Sequence, residues 1–325
     1  MDYNKVILSK KDNLNYHKVL MKEYRALHNR QASEFSDLLD ESHIAITHKG
    51  LSSTDTLFES PMEVAVLATI GSFNSLSKDR LMSNMVSVEM ILSRLMYRGN
   101  MSRKRKDVKK SISQLQDKEI ISVTDMFGNP ISDIEKAPHT LLMNIKQEMT
   151  GKFSYYRIRW SEFLRVVSSD ASDSNKEHLL SVLCSVKSYM NEVGSYKKDS
   201  VNDLSLLNHY RSMFCLSTIE SIGAKVGLAR MTASKYLDEL KKMSIIKSLK
   251  VHREHTPDYS WSYYYSDFAR FDELTYFAEN LIKSGFVSNS KDGKYKDFSY
   301  LNIDKVYNED FKIVKDGRKF KIKDD

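Results

Sequence analysis

The sequence predicts a mainly α-helical α+β protein in which one helix, turn, helix and strand unit occurs twice in tandem. Three observations predict it: an apolar frame repeated at constant spacing, an aromatic strand after each copy, and a small polar stretch between the copies. Val108 to Val123 reads VKKSISQLQDKEIISV and Ala233 to Ser248 reads ASKYLDELKKMSIIKS. At an offset of 125 residues Val108 aligns with Ala233, Ile112 with Leu237, Leu115 with Leu240, Ile120 with Ile245 and Ile121 with Ile246. Self-similarity at a fixed offset marks repeated supersecondary units.

In each copy the apolar positions step by four and then three, which lines one face of a helix. A short polar stretch ends that helix, and Ile120-Ile121 or Ile245-Ile246 opens a β-branched strand. An aromatic strand follows both: Phe153 to Trp160 before Ser161-Glu162-Phe163, and Tyr259 to Tyr265 before Ser266-Asp267-Phe268. Here the offset is 105, so the first copy has a longer connection. Phe127-Gly128-Asn129-Pro130 and Ala137-Pro138 punctuate it with turns. Helical material precedes each copy, from Val64 to Met96 and from His178 to Gly227. The stretch Ser168-Ser169-Asp170-Ala171-Ser172-Asp173-Ser174-Asn175 is the expected boundary. The predicted divisions are an N-terminal helical extension (1–55), a first module (56–167), a second module (168–272) and a C-terminal helix with a basic β-rich tail (273–325).

Hydrophobic residues make up 41% and charged residues 29% of the 325 residues, the balance of a folded chain in water. The longest weakly polar stretch, Met62 to Gly71, falls far short of a membrane span. Met1 to Lys5 lacks the order of a signal peptide, so a soluble, cytoplasmic protein is expected. Cys184 and Cys215 lie in apolar helical patterns and read as small core residues suited to a reducing compartment. Net charge is +7, and its placement matters more than its size. From Arg98 to Lys110 there are seven basic residues against the single acid Asp107.

Ser217 to Lys250, STIESIGAKVGLARMTASKYLDELKKMSIIKSLK, resembles the winged helix-turn-helix of bacterial DNA-binding proteins. Ile219, Ile222 and Val226 face the core from the first helix, Gly227 permits the turn, Leu228 plugs the gap between helices, and Thr232 starts the second helix. Ala233, Tyr236, Leu237 and Leu240 hold that helix down. Arg230, Met231, Ser234 and Lys235 remain outward at its N-terminal end, the end that enters the major groove in such motifs, and are the base-reading candidates. The small β-wing would be Ser248 to His255 with Trp261 to Tyr265, placing His252, Arg253 and His255 near the DNA backbone. In the first copy the matching helix starts near Ser102, with Gly99-Asn100 as the turn and Ser102 or Asn100 as N-cap. It places Arg105, Lys106, Lys109 and Lys110 on the equivalent face, with Arg103 and Lys104 at its start. These six cations are the candidate backbone contacts, through counterion release.

Catalytic signatures are absent from the string. No Walker-type phosphate loop, Gly-x-Ser-x-Gly or dinucleotide fingerprint occurs among the eleven glycines. His252 and His255 lack a third metal ligand nearby. The 18 tyrosines lack the histidine pairs or spaced arginines of nicking enzymes and recombinases, and their runs read as core strands. No enzyme activity, cofactor or metal is expected. A helix over Tyr16 to Leu39 is expected to pack within the chain, a homodimer through it being the alternative. Residues 286–325 read as short strands with turns at Asp292-Gly293 and Asp316-Gly317, then Lys319, Lys321 and Lys323 as a phosphate-contacting tail.

Two tandem winged helices with unequal reading faces resemble, over about residues 60–270, the replication initiators of plasmids and related mobile elements of low-GC Gram-positive bacteria. The likeness lies in architecture, with no diagnostic family string. It implies double-stranded DNA with repeated origin sites as target, control of the protein's own promoter, and contacts with host replication proteins. A transcriptional regulator of a phage or mobile element would use the same modules, and a winged-helix interaction scaffold is the alternative of a different class.

Overall fold

The computed structural model describes residues 10–39, 42–51, 58–77, 80–82, 85–149, 155–190, 213–253, 261–278, 287–289, 295–297, 303–307, 313–315 and 318–320. In chain order the elements are α1 (Lys10–Glu34), α2 (Ser36–Leu39), β1 (His43–Thr47), α3 (Pro61–Gly71), β2 (Ser75–Ser77), β3 (Arg80–Met82), β4 (Met85–Val86), α4 (Val88–Arg94), α5 (Met101–Asp117), β5 (Ile121–Thr124), β6 (Met143–Gln147), β7 (Tyr155–Arg159), α6 (Trp160–Ser168) and α7 (Asp173–Tyr189). They continue with α8 (Ile219–Ala224), α9 (Arg230–Lys242), β8 (Ile246–Arg253), β9 (Trp261–Asp267), a 3-10 turn at Phe268–Arg270, α10 (Phe271–Tyr276), β10 (Val287–Asn289), β11 (Tyr295–Asp297), β12 (Ile303–Tyr307), β13 (Ile313–Lys315) and β14 (Arg318–Phe320). The result is a mixed α/β protein with small antiparallel sheets. Among the described residues no helix is long and apolar enough to cross a membrane.

The chain divides into two units. One takes the described residues of 1–39, 193–216 and 247–325, the other those of 40–192 and 217–246. These units differ from the divisions expected at 55/56 and 167/168. Strand β1, counted with the N-terminal extension, pairs with β7, and residues 168–175 lie inside the second unit. The physical reason is α7. Its residues 176–188 are buried apart from His178, so it behaves as a central core helix. It packs on α3, which is itself buried from Met62 to Gly71. The polar run before α7 is its cap: the Ser172 side chain accepts from the Asn175 N–H.

Both candidate helices lie in this second unit, and their inner faces match the sequence pattern. Val108, Ile112 and Leu115 of α5 are buried, as are Ala233, Tyr236, Leu237 and Leu240 of α9. The two helices end alike. Glu119 and Ser244, also 125 residues apart, both take φ 54°. Ile120 N–H then donates to Leu115 O at 2.9 Å and Ile245 N–H to Leu240 O at 3.1 Å, the 6→1 bond of a Schellman cap. Ile120 and Ile245 are buried behind it. The Arg165 guanidinium of α6 adds bonds to Met243 O and Ser244 O.

The helix starts differ from expectation. Ala233 N–H closes the first turn of α9 on Ala229 O at 2.9 Å, so the helix begins at Arg230 and not at Thr232. Between α8 and α9, Gly227 has φ +68°, as the turn requires. At Gly223 a Cβ would stand 2.6 Å from Leu228 O, so close approach of the two segments also demands glycine there. In the first copy the left-handed residue is Met96, φ 51°, and not Gly99.

The strand pairing of the first copy is a correction. The aromatic strand β7 pairs antiparallel with β1, Ile44 opposite Ile158, and is not the partner of the strand after α5. That partner is β6, with Val123 opposite Ile145, and β4 extends the ladder on the other side of β6. Met143 and Ile145 alternate with polar neighbours and supply the buried face, a signal hidden inside the long connection. Buried charges pin the periphery: Lys118 Nζ lies 2.6 Å from Glu63 Oε2, and Arg159 and Lys187 both bond Glu162 Oε1.

In the other unit β8 and β9 are neighbours in a five-stranded sheet of order β14-β13-β12-β8-β9. The tail therefore forms strands, as expected, and β13 and β14 pair with Lys315 opposite Arg318. The turn residues at 292–293 and 316–317 lie outside the described residues. Helix α1 packs on α10, where Tyr276 OH donates to Glu23 at 2.7 Å and His28 Nδ1 lies 2.9 Å from the buried Glu273 Oε2.

A left-handed serine costs about 1–2 kcal/mol relative to glycine, partly offset by the greater freedom of glycine in the unfolded chain. Ser244→Gly should therefore stabilise the protein by about 0.5–1 kcal/mol, read from its urea midpoint, whereas Leu237→Ala should cost about 2–5 kcal/mol. A destabilising Ser244→Gly would contradict the capping geometry.

Candidate nucleic-acid interface

Helix α9 presents its first turns outward. Arg230, Met231 and Lys235 are exposed and Ser234 is half-buried. Met231 is 79% exposed, so this large apolar side chain contributes nothing to the core. No side chain caps the helix start, leaving the first-turn N–H groups facing the same end. Arg230 Nε lies 2.9 Å from Glu220 Oε1, both side chains more than half exposed. Such a pair is worth about 0–1 kcal/mol and yields readily to a stronger anion. The four residues predicted from sequence are thus gathered on one accessible end.

The inner side of α9 is anchored on α7. Tyr236 OH donates to Asn175 Oδ1 at 2.7 Å, and the His178 ring stacks on Tyr236 with centroids 4.9 Å apart. Ser185 Oγ donates to Ile222 O and Lys225 Nζ to Ser188 Oγ, fixing α8 on the same helix.

Helix α5 starts at Met101 with Asn100 as its cap, the Asn100 side chain accepting from Arg103 N–H at 3.1 Å. It begins about one turn earlier than α9 does under the 125-residue alignment. Arg105 and Lys106 therefore sit in its second turn and are not counterparts of a helix start. Asp173 of α7 accepts from Arg98 N–H at 3.0 Å and Gly99 N–H at 2.8 Å. A Cβ on Gly99 would lie 2.6 Å from that carboxylate. Lys176 Nζ donates to Met96 O at 2.9 Å.

The six cations assigned to backbone contact separate into two groups. Lys104 Nζ is 2.5 Å from Glu177 and 4.8 Å from the Tyr97 ring centroid, its side chain only 17% exposed. Lys109 Nζ donates to Glu135 O at 3.2 Å and to Ala137 O, fastening the long connection to α5. Arg105 Nε is 2.5 Å from Glu89 Oε1 at the start of α4. Arg103 is largely exposed, 4.0 Å from Asp107, and Lys106 and Lys110 are exposed. The expectation that all six contact the DNA backbone is corrected accordingly: Lys104, Lys109 and Arg105 have intramolecular partners, and Arg103, Lys106 and Lys110 remain outward. His252 and Arg253 end β8 in the other unit; their side chains, and all of His255, lie outside the described residues.

Sequence reasoning missed two residues here. His139, in the connection between β5 and β6, lines a cleft of about 470 Å³ with Ser102, Arg105, Lys106 and Lys110. Glu89 Oε1 lies 3.7 Å from His139 Nε2 as well as beside Arg105. Arg105 holds the Glu89 carboxyl below the usual carboxylate range. Only folding of the connection back along α5 brings His139 there, and no local pattern announces it. The cysteines are buried, and burial pushes the Cys184 thiol up to about 12.

No protein-family model, curated protein or solved structure matches this chain.

Lys104→Ala should destabilise the protein by about 1–3 kcal/mol, because it strands a nearly buried carboxylate. Lys106→Ala and Lys110→Ala should stay within about 0.5 kcal/mol. Urea unfolding of the three variants checks this, and equal losses would show that Lys104 is not a packing residue.

Proposed function

We propose that the protein binds double-stranded DNA sequence-specifically, α9 reading bases with Arg230, Met231, Ser234 and Lys235 while the outward cations of α5 grip phosphates. One observation carries the reading: an accessible N-terminal end on α9 combining a guanidinium, an ammonium and a solvent-facing methionine, on a helix whose other face is core. Arg and Lys suit guanine edges, and an apolar side chain suits a thymine methyl. The helix-turn-helix resemblance supports the same end as the groove-entering one.

Replication initiation at the origin of a plasmid or mobile element is the biological setting the tandem arrangement favours. It brings repeated sites, host replication proteins and a cytoplasmic location with it, and it needs no catalytic group on this chain. A plasmid carrying the gene and its flanking repeats tests it. Replication lost on deletion supports the initiator, and a released promoter alone assigns the protein to transcriptional regulation.

For the DNA reading itself, Arg230→Ala should weaken the selected duplex by about 1–3 kcal/mol while leaving the unfolding midpoint unchanged. The double variant Lys106→Ala with Lys110→Ala should leave sequence preference intact and lower the salt slope by about 1.8. Fluorescence anisotropy at several salt concentrations reads both, and absence of salt-sensitive duplex retention would favour a protein-interaction scaffold.

A further inference from the structure

The cleft beside α5 collects Arg105, Lys106, Lys109, Lys110 and His139, with Ser102 also in its lining. Asp107 and Glu135 are the two acids among them. Its volume of about 470 Å³ is that of a small-ligand site, and it is open to solvent. One further carboxylate reaches it. Glu89 Oε1 is 2.5 Å from Arg105 Nε and 3.7 Å from His139 Nε2, so a single oxygen meets two of the cleft's nitrogen groups. That is the contact a phosphate oxygen makes with a charged fork and an imidazole. Glu89 and Arg105 are each about one-third exposed, so their pair is weak enough to exchange for a more highly charged anion. Glu89 is also placed independently of this contact, since its N–H donates to His139 O at 3.3 Å in the first turn of α4.

We propose that the cleft is a phosphate-binding site and that Glu89 occupies the phosphate's place in the free protein, competing with it for Arg105 and His139. The phosphate can belong to the duplex backbone or to a free polyphosphate, and only the first source rests on the DNA reading above. Binding moves no covalent bond: the Arg105 fork leaves Glu89 for phosphate oxygens, Lys106 and Lys110 add charge, and Lys109 stays on its two carbonyls.

Glu89→Gln in the full chain removes the competitor's charge and keeps its shape. Tripolyphosphate, titrated by calorimetry, should bind this variant about three- to tenfold more tightly than the parent. The gain should vanish in Glu89→Gln with Arg105→Gln, and His139→Gln alone should weaken the parent's binding. A duplex of about 20 base pairs, followed by anisotropy across salt, is the second arm, its footprint being that of one or two groove contacts. A parallel gain with a salt slope steeper by about 0.9 assigns the phosphate to the DNA backbone, and a gain with tripolyphosphate alone assigns it to a free polyphosphate. Unchanged or weaker binding of both probes by Glu89→Gln, or a gain that survives loss of Arg105, overturns the proposal. Arg230→Ala reads α9 alone, so failure here is distinguishable from failure of duplex recognition.

Discussion

Helix α7 holds the turn before α5 with one side of its first turns and α9 with the other, and the arrangement of the candidate interface depends on it. Asp173, Lys176 and Glu177 bind the Arg98-Gly99 amides, Met96 O and Lys104 respectively. Asn175 and His178 bind Tyr236. At 100° per residue the first three share one face and the other two the opposite face. One rigid element therefore sets both helices. Lys176 and Glu177 are buried, and a buried charge without its partner is costly, so these contacts fix a geometry that apolar packing alone would leave freer.

The same logic recurs at the rim of the core. Glu63 with Lys118, and Glu162 with Arg159 and Lys187, place charges where apolar residues of equal volume would serve stability as well. What these pairs supply is register. Lys118 ties the end of α5 to the start of α3, and Lys187 ties α7 to α6. Outward residues such as Lys106, Lys110, Arg230 and Met231 can then be exposed or weakly paired, because α5 and α9 are held by their other faces.

The repeat was legible because a helix face, the polar stretch that ends it and the first strand residue are all local. The frame at Val108 and Ala233 carries through to Glu119 and Ser244, which share the same backbone angle. The pairing of β7 with β1 was not legible. Tyr155 to Arg159 and Trp261 to Asp267 are both aromatic, yet the first joins a strand more than 100 residues away and the second neighbours the strand just before it. The boundary at 168–175 failed for a related reason: Ser172 and Asp173 are polar because they cap α7 and hold the Gly99 turn, and a polar cap looks like a linker when its partners are unseen. Arg230, Met231 and Lys235 were readable as outward from periodicity alone. Lys104 and Lys109 were not, since periodicity says which side a lysine leaves the helix but not whether Glu177 or a returning loop waits there.

If α7 sets α5 and α9 as one body and the proposed duplex recognition holds, the two helices engage DNA in a fixed register. Hydroxyl-radical footprinting of the full chain on a duplex selected from a random pool tests this most directly, followed by insertion of about 5 base pairs, half a helical turn, between the protected tracts. The account predicts two tracts and an affinity that falls about tenfold or more on insertion. A single tract, or an affinity indifferent to the spacing, would contradict it.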